Sequence, residues 1–399
     1  MTAALEVVFW LCCALIVWTQ IGYAAALALV VRARGLGAGR TAHAASAAAA
    51  PGAPAPGSGA PASAPMLSLI VAAHDEETVI EAKIANALAL DYPRERLQVI
   101  VACDGCSDAT AARARTAGAD IVLELARGGK VRAQDAAVEQ ARGELVAFSD
   151  ANALWEADAA RALVCAFADD RVGYACGQVR FVQAGDPGSA NQEGVYWRYE
   201  LAVRALESRL SSITAGNGAI YATRRESYIS VDPIMGHDLS LPFNMVKRGW
   251  RAIYAPDARA SEKMVPSLRG EFARKRRMMS HTWPIVLRGG MLSPRGYTPG
   301  YAVMILSHRL LRYATPALHL LALGTNVALV AVAAGTLYAV TLGLQLALLL
   351  SAALAGAVPA RALLIARYYV LTTASLAAGL WDWLRHGTEA SWEAAEGTR

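Results

Sequence analysis

Short apolar runs separated by amphipathic stretches fill the middle of the chain. Leu67–Ala73, Gln98–Cys103, Ile121–Leu123 and Leu145–Ser149 read as strands, because each is short, apolar and followed by polar or small residues. Glu76–Leu90, Ser107–Ala117 and Lys130–Ala141 lie between them and carry helical spacing. A further helix is expected near Trp155–Phe167. Strands alternating with helices predict an α/β domain with a parallel, doubly wound sheet.

The two ends follow another pattern. Leu5–Val31 is continuously apolar apart from Glu6 and is long enough to cross a bilayer core, which takes about 20 residues. A cleaved signal peptide wants basic residues before a shorter apolar core, and Met1–Leu5 has none, so a retained anchor is expected. Arg32, Arg34 and Arg40 follow it and place that side in the cytoplasm by the positive-inside rule. Near the C-terminus, breaks at Gly335 and Pro359–Arg361 divide an apolar stretch into candidate spans at 315–334, 336–357 and 362–383. Tyr301–Tyr313, with Ser307, His308, Arg309 and Arg312, reads as an amphipathic helix at the membrane interface. Counting spans puts the C-terminus outside, whereas Arg385 and His386 favour inside. Gly35–Pro65 is almost all Ala, Gly, Pro and Ser, which predicts a flexible linker. The expected organisation is an anchor at 1–32, a linker at 33–65, a globular domain at 66–260, interfacial helices at 261–313, C-terminal spans at 314–385 and a tail at 386–399.

Composition agrees with a membrane protein: 55% of the residues are hydrophobic and 18% charged. The net charge of +5 is modest, and its densest cluster, Arg274-Lys275-Arg276-Arg277, suits anionic lipid or a phosphorylated ligand. No basic stripe with interleaved aromatics points to nucleic acid. Six cysteines form no disulfide framework. Cys103-Asp104-Gly105-Cys106 has the C-x-x-C form but lacks the second pair or thioredoxin-like setting that zinc or redox chemistry would want.

The strand ends carry the polar chemistry. They deliver His74-Asp75-Glu76-Glu77, Asp104-Gly105 and Asp150-Ala151-Asn152. Ligands bind outside the carboxyl ends of strands in such sheets. A carboxylate and an amide two residues apart suit a hard divalent cation arriving with phosphates. The alternative for Asp150 is a cap on the following helix. Neither a P-loop nor a G-x-G-x-x-G opening the first helix is present.

Leu67 to about Arg277 resembles the family 2 inverting glycosyltransferases of GT-A fold. The closer likeness is to the membrane-embedded branch that includes chitin, cellulose, hyaluronan and poly-N-acetylglucosamine synthases. The resemblance implies a Rossmann-like mixed sheet in a cytosolic domain flanked by transmembrane helices. Val71–Glu77 is similar to the first-strand motif that holds the nucleotide, which implies donor contacts from Ala73, Asp75 and Glu77. Val101–Asp108 is similar to the D-G-S-x-D segment, which makes Asp104 the base reader and the C-x-x-C an accident of substitution. Gly128-Gly129-Lys130, with Asp135, is similar to the G-G-K segment and puts Lys130 near the diphosphate. Asp150 and Asn152 take the place of the D-x-D metal motif, for Mg²⁺ or Mn²⁺. Glu193–Leu210 and Gly216-Asn217-Gly218 resemble the helix and loop beside the acceptor. Gly236-His237-Asp238 stands where the family has paired acids, with Asp238 as general base and His237 beside the acceptor. The alternative for Asp238 is an N-cap on a helix at Leu239–Arg248. Arg274-Lys275-Arg276-Arg277-Met278 replaces Q-x-x-R-W, with Arg274 near the acceptor and Arg277 near the diphosphate.

Three departures qualify the match. Asn152 replaces an acid, so Asp150 would carry most of the metal binding. His237 replaces an acid beside the base. Met278 replaces an aromatic platform for the acceptor sugar, which weakens the case for long-chain synthesis. The expected activity is transfer from a nucleotide-sugar, in particular a UDP-sugar, to a glycan or lipid-linked acceptor at a bacterial inner membrane, with processive synthesis as the rival. A transporter with a regulatory domain would place ionisable residues inside the spans. Thr315–Leu350 holds only His319, with Arg367 near the start of the third span, which counts against it.

Overall fold

A computed structural model of the chain describes residues 2–35, 64–182, 187–263, 268–358 and 360–390. Most of the expected linker lies outside the described residues. The first helix, α1, spans Thr2–Ala33. The globular domain then runs β1 (Leu67–Ala73), α2 (Ile80–Leu88), β2 (Leu97–Asp104), α3 (Thr110–Thr116), β3 (Ile121–Leu125), α4 (Lys130–Glu139) and β4 (Leu145–Asp150). It continues through β5 (Leu154–Trp155), α5 (Ala159–Cys165), β6 (Val172–Val182), α6 (Pro187–Leu210), β7 (Tyr221–Arg224), α7 (His237–Lys247) and β8 (Arg251–Lys263). The helix α8 (Leu268–Leu287) leads to α9 (Pro299–Ala331), α10 (Thr336–Leu354) and α11 (Arg361–His386).

The strands form one eight-stranded sheet in the order β3-β2-β1-β4-β7-β6-β8-β5. β3, β2, β1 and β4 are mutually parallel, and β7 then enters antiparallel, so the sheet is mixed. The register pairs Ala73 with Cys103 and Ala72 with Asp150. His74–Glu77, Asp104 and Asp150 therefore leave the sheet at one edge. β1 is buried along its whole length, as a strand covered on both faces must be.

Several boundaries differ from the sequence reading for local reasons. α2 starts at Ile80 because Glu76 and Glu77 are held in a turn: their N–H groups donate to Thr110 Oγ1 and Asp108 Oδ2. α3 starts at Thr110, whose N–H donates to Asp108 Oδ1 in an Asx-type turn. α5 is shorter than expected because Leu154 and Trp155 pair with Ser261 and Ala260 of β8.

α1, α9, α10 and α11 are long and apolar enough to cross a membrane. The Tyr301–Tyr313 segment is not a separate interfacial helix. It is continuous with the following span, and Ser307, His308 and Arg309 are buried. His308 and Arg309 face the acids Glu200 and Glu207 of α6, and Ser307 accepts from Trp18 and Thr19 of α1, which explains why an amphipathic pattern ends up enclosed. Tyr23 and Leu27 of α1 join Val203, Phe243, Ile285, Tyr301 and Leu376 in an apolar cluster where these helices meet the globular domain.

Candidate active site

The loops after β1 and β2 form one end of the cleft. Asp75 adopts a positive φ of 50°, which is uncommon for a residue with a side chain. It accepts a hydrogen bond from Ser107 N at 2.7 Å. Ala73 is buried at the strand end, where its carbonyl accepts from Cys106 Sγ. Glu77 Oε2 accepts from Ala109 N, so this acid ties the two loops together. Asp104 is only 1% exposed, and it accepts from Gly128 N at 2.6 Å and from Gly129 N at 3.0 Å. Its carboxylate holds the Gly128–Gly129 turn, beside the ends of β1 and β2. Gly129, at φ 94°, then delivers Lys130 as the first residue of α4. A Cβ at Gly129 would lie 2.2 Å from the Ala390 carbonyl oxygen, so the stretch after α11 reaches back to this turn.

Asp150 is not a helix cap, since α5 begins nine residues on, at Ala159, and is preceded by Asp158. Its Oδ1 accepts from Lys130 Nζ. A Cβ at Gly218 would sit 3.3 Å from that ammonium and 3.8 Å from Asp150 Oδ2, so Gly218 leaves the space the pair occupies. Burial alone would lower the Lys130 pKa, but Asp150, Asp238 and Glu262 outweigh it and raise it. The charges of Asp150 and Asp238, distant in sequence, thus converge on one cation. Asp238 lies in the first turn of α7, where Gly236 is the N-cap residue and no side chain caps the helix. Its carbonyl accepts from Gly216 N at 2.7 Å, fixing the loop before β7 against the start of α7.

Two residues expected on the acceptor side make their hydrogen bonds within the fold. His237 is 4% exposed and pairs with the Tyr221 and Tyr228 hydroxyls at 2.8 and 3.4 Å, beneath Phe148. Burial, with Lys130, lowers its pKa to about 3, and its ring braces the two tyrosines. Asn217 spends its amide on the Gly177 carbonyl and on the N–H groups of Ala219 and Ile220, so it shapes the loop. Gly216 is needed for a different reason: a Cβ would lie 2.0 Å from Tyr174 Oη. Tyr174 is fully buried and cannot step aside. Gly216→Ala should therefore cost about 1–3 kcal/mol, read as a lower melting temperature. The Tyr174 hydroxyl is buried with no hydrogen-bond partner among the described residues, so adding Tyr174→Phe should recover part of that loss. No recovery would mean that the strain lies elsewhere.

The basic cluster on α8 divides its tasks. Arg276 forms a two-pronged ion pair with Asp382 of α11, and Lys275 donates to Tyr368. Arg274 acts electrostatically on Glu262, while Arg277 and Asp238 both act on His281.

Two residues escaped the sequence reading. Lys83 is fully buried, donates to the Ala153 carbonyl at 2.7 Å and lies over the Trp155 ring. It pins the loop that carries Asp150 and Asn152. Burial lowers its pKa to about 7 against Asp150 and Glu262. Its signal was a lysine between Ile80, Ile84 and Ala87 on the apolar face of α2. Glu262, near the end of β8, has a buried Oε1 with no hydrogen-bond partner among the described residues. Burial and Asp150 raise its pKa to about 7 against Lys130, Arg274 and Lys83.

A metal ion fits the donor set here. Asp150 is already paired with a cation, and an amide oxygen of Asn152 two residues on completes an all-oxygen pair suited to Mg²⁺ or Mn²⁺.

A mixed α/β sheet with a charged cleft at the carboxyl ends of its parallel strands defines a GT-A-type domain. The chain belongs to the glycosyltransferase like family 2, whose sequence profile matches residues 64–280. An N-acetylglucosaminyltransferase of Rhizobium meliloti (strain 1021) is 28% identical over 214 residues, 49% of this chain and 50% of the relative. A second N-acetylglucosaminyltransferase, from Rhizobium sp. (strain N33), is 25% identical over 230 residues, 53% of this chain and 51% of the relative. The chain thus spans about half the length of the curated relatives it matches. Among solved structures, a mannosyltransferase from Pyrobaculum calidifontis in complex with GDP-Man and Mn²⁺ superposes with a TM-score of 0.63 at 25% identity. That match covers 91% of this chain and 98% of the other.

Proposed function

We propose that the protein is a membrane-anchored, inverting glycosyltransferase that moves a sugar from a nucleotide-sugar to a glycan or lipid-linked acceptor. The observation that carries this reading is the Lys130–Asp150 ion pair at the carboxyl end of β4, in space left by Gly218. Asp238 takes the proton of the acceptor hydroxyl as its oxygen bonds to the anomeric carbon. The bond from that carbon to the diphosphate breaks on the opposite face. Lys130 meets the charge that develops on the leaving phosphate oxygens. Asp150 and Asn152 would hold Mg²⁺ or Mn²⁺, which supplies further charge stabilisation there. Asp75 and the Asp104-held turn place the nucleotide, and Arg277 borders the cleft near Asp238. Lys83 and Glu262 fix the metal loop and balance its charge.

The family and the Rhizobium N-acetylglucosaminyltransferases favour a UDP-sugar; the Pyrobaculum mannosyltransferase keeps a GDP-sugar in view. Arg32 and Arg34, at the end of α1, favour a cytoplasmic catalytic domain at a bacterial inner membrane. Met278, at the place of the aromatic platform, is 42% exposed and offers no flat ring, which favours single transfer over processive synthesis.

Membranes carrying the protein should release nucleoside diphosphate from UDP-GlcNAc or GDP-mannose when Mg²⁺ or Mn²⁺ and an acceptor are present. Release should stop on chelation and in Asp150→Ala. Folded protein that turns over neither donor under these conditions would remove the proposal.

A further inference from the structure

The Cys103-Asp104-Gly105-Cys106 segment acquires new partners in the fold. Parallel pairing of β1 with β2 sets Ala73 opposite Cys103, so the residues just past each strand meet. His74, Asp75 and Cys106 each offer one ligand atom, and these atoms lie within 4.8 Å of one another. All three side chains are partly open to solvent, which provides an entry path.

The His74 ring is oriented as a metal ligand would be. Its Nδ1 lies 2.7 Å from the Asp104 carbonyl oxygen, which can only accept, so Nδ1 carries the proton. The lone pair is then on Nε2, 3.6 Å from Asp75 Oδ2. A metal-bound histidine characteristically donates its other N–H to a carbonyl or carboxylate in this way. Ligand atoms around a tetrahedral zinc lie roughly 3.3–3.8 Å apart, so the nitrogen–oxygen pair already has the right spacing. Asp75 is held in place by its left-handed backbone and by Ser107 N. Cys106 Sγ donates to the Ala73 carbonyl at 3.5 Å, which holds the sulfur at the end of β1.

We propose that His74 Nε2, Asp75 Oδ2 and Cys106 Sγ form a second metal site, which takes a thiophilic divalent ion of the zinc class. It differs in kind from the all-oxygen site at Asp150, because a thiolate and an imidazole select softer ions than carboxylate and amide oxygens do. Binding releases the Cys106 proton to solvent and leaves one coordination position to water. An ion here clamps the β1 and β2 loops together at Asp75. It would thereby compete with the donor nucleotide, a consequence that rests on the function proposed above, whereas binding itself does not.

Cobalt(II) is a suitable probe, because its tetrahedral thiolate complexes absorb in the near ultraviolet and visible. Purified full-length protein in detergent, with excess Mg²⁺ to occupy the oxygen site, should develop a thiolate-to-cobalt charge-transfer band at one ion per chain. Zn²⁺ should displace the cobalt and bleach the band. Cys106→Ser should abolish the charge-transfer band, and His74→Gln should weaken cobalt binding, with both variants checked for an unchanged melt. Cys165→Ser, which removes an exposed thiol, and Asp150→Ala should keep the band. A wild-type protein without the band, or a band that survives in Cys106→Ser or vanishes in Cys165→Ser, would overturn the site. These spectra need no turnover, so an inactive protein would count against the glycosyltransferase reading and not against the metal site.

Discussion

Asp238→Asn should abolish sugar transfer while the donor still binds. The substitution keeps the side-chain shape and removes only its ability to take a proton. A positioned general base contributes on the order of 10²–10⁴ in rate, and turnover should fall by that factor. Lys130 would keep its direct partner Asp150 and the field of Glu262, so the donor-side charge arrangement survives. The melting temperature should also hold, because no side-chain cap at the start of α7 is lost. His237 cannot substitute as the base: both ring nitrogens face tyrosine hydroxyls in an enclosed pocket. Rates and nucleotide affinity measured together decide the matter. A fall in kcat with unchanged donor affinity places Asp238 at the chemical step. Retained kcat removes it, and a parallel loss of affinity would make it a donor contact.

The legible part of the fold was the half in which strands and helices alternate. β3, β2, β1 and β4 each have a local apolar signature, and the order of strand ends put the acids on one edge. The antiparallel half was not legible. β7 has only four residues, and β6 and β8 pair across a long stretch of sequence that no local pattern announces. The motif order does not say which way Asp238 and its neighbour His237 point, for a geometric reason. Successive residues on a helix point about 100° apart. His237 is therefore directed into the aromatic core while Asp238 acts on Lys130. Likewise, chain position does not show that the Asp104 carboxylate accepts from the backbone of Gly128 and Gly129. Lys83 was overlooked because a lysine is seldom fully buried, and only the fold shows the Ala153 carbonyl that receives it.

The largest stability effect is expected where the globular domain meets the apolar helices. Glu207 of α6 is fully buried and accepts from the Tyr23 hydroxyl of α1 at 2.7 Å, from Thr214 N at 3.0 Å and from His308 Nδ1 of α9 at 2.7 Å. Glu200, two turns earlier on the same face of α6, accepts from Arg312 and lies 3.4 Å from His308 Nε2. Arg309 donates to the Thr214 hydroxyl at 2.9 Å. Burial would raise the Glu207 pKa, yet His308 and Arg309 hold it below the usual carboxylate range. A depressed carboxylate contributes stability above its unfolded pKa and loses it only as pH falls through the folded value. The network therefore stays intact across neutral and mildly acidic pH. Removing one partner of a buried charged network costs about 3–5 kcal/mol, because the remaining charges are left enclosed. Glu207→Ala should lower the melting temperature in detergent accordingly. Tyr23→Phe deletes a single hydrogen bond to a charged group and should cost about 1.5–3 kcal/mol. The double variant should cost less than the sum, since both substitutions break the same contact. Turnover should also fall in Glu207→Ala, because Thr214 precedes Gly216, whose N–H holds the Asp238 carbonyl. If Glu207→Ala melts with the parent protein, the apolar contacts of Tyr23, Leu27, Val203, Phe243 and Tyr301 hold the junction alone. The ion network would then stabilise nothing that the apolar cluster does not already hold.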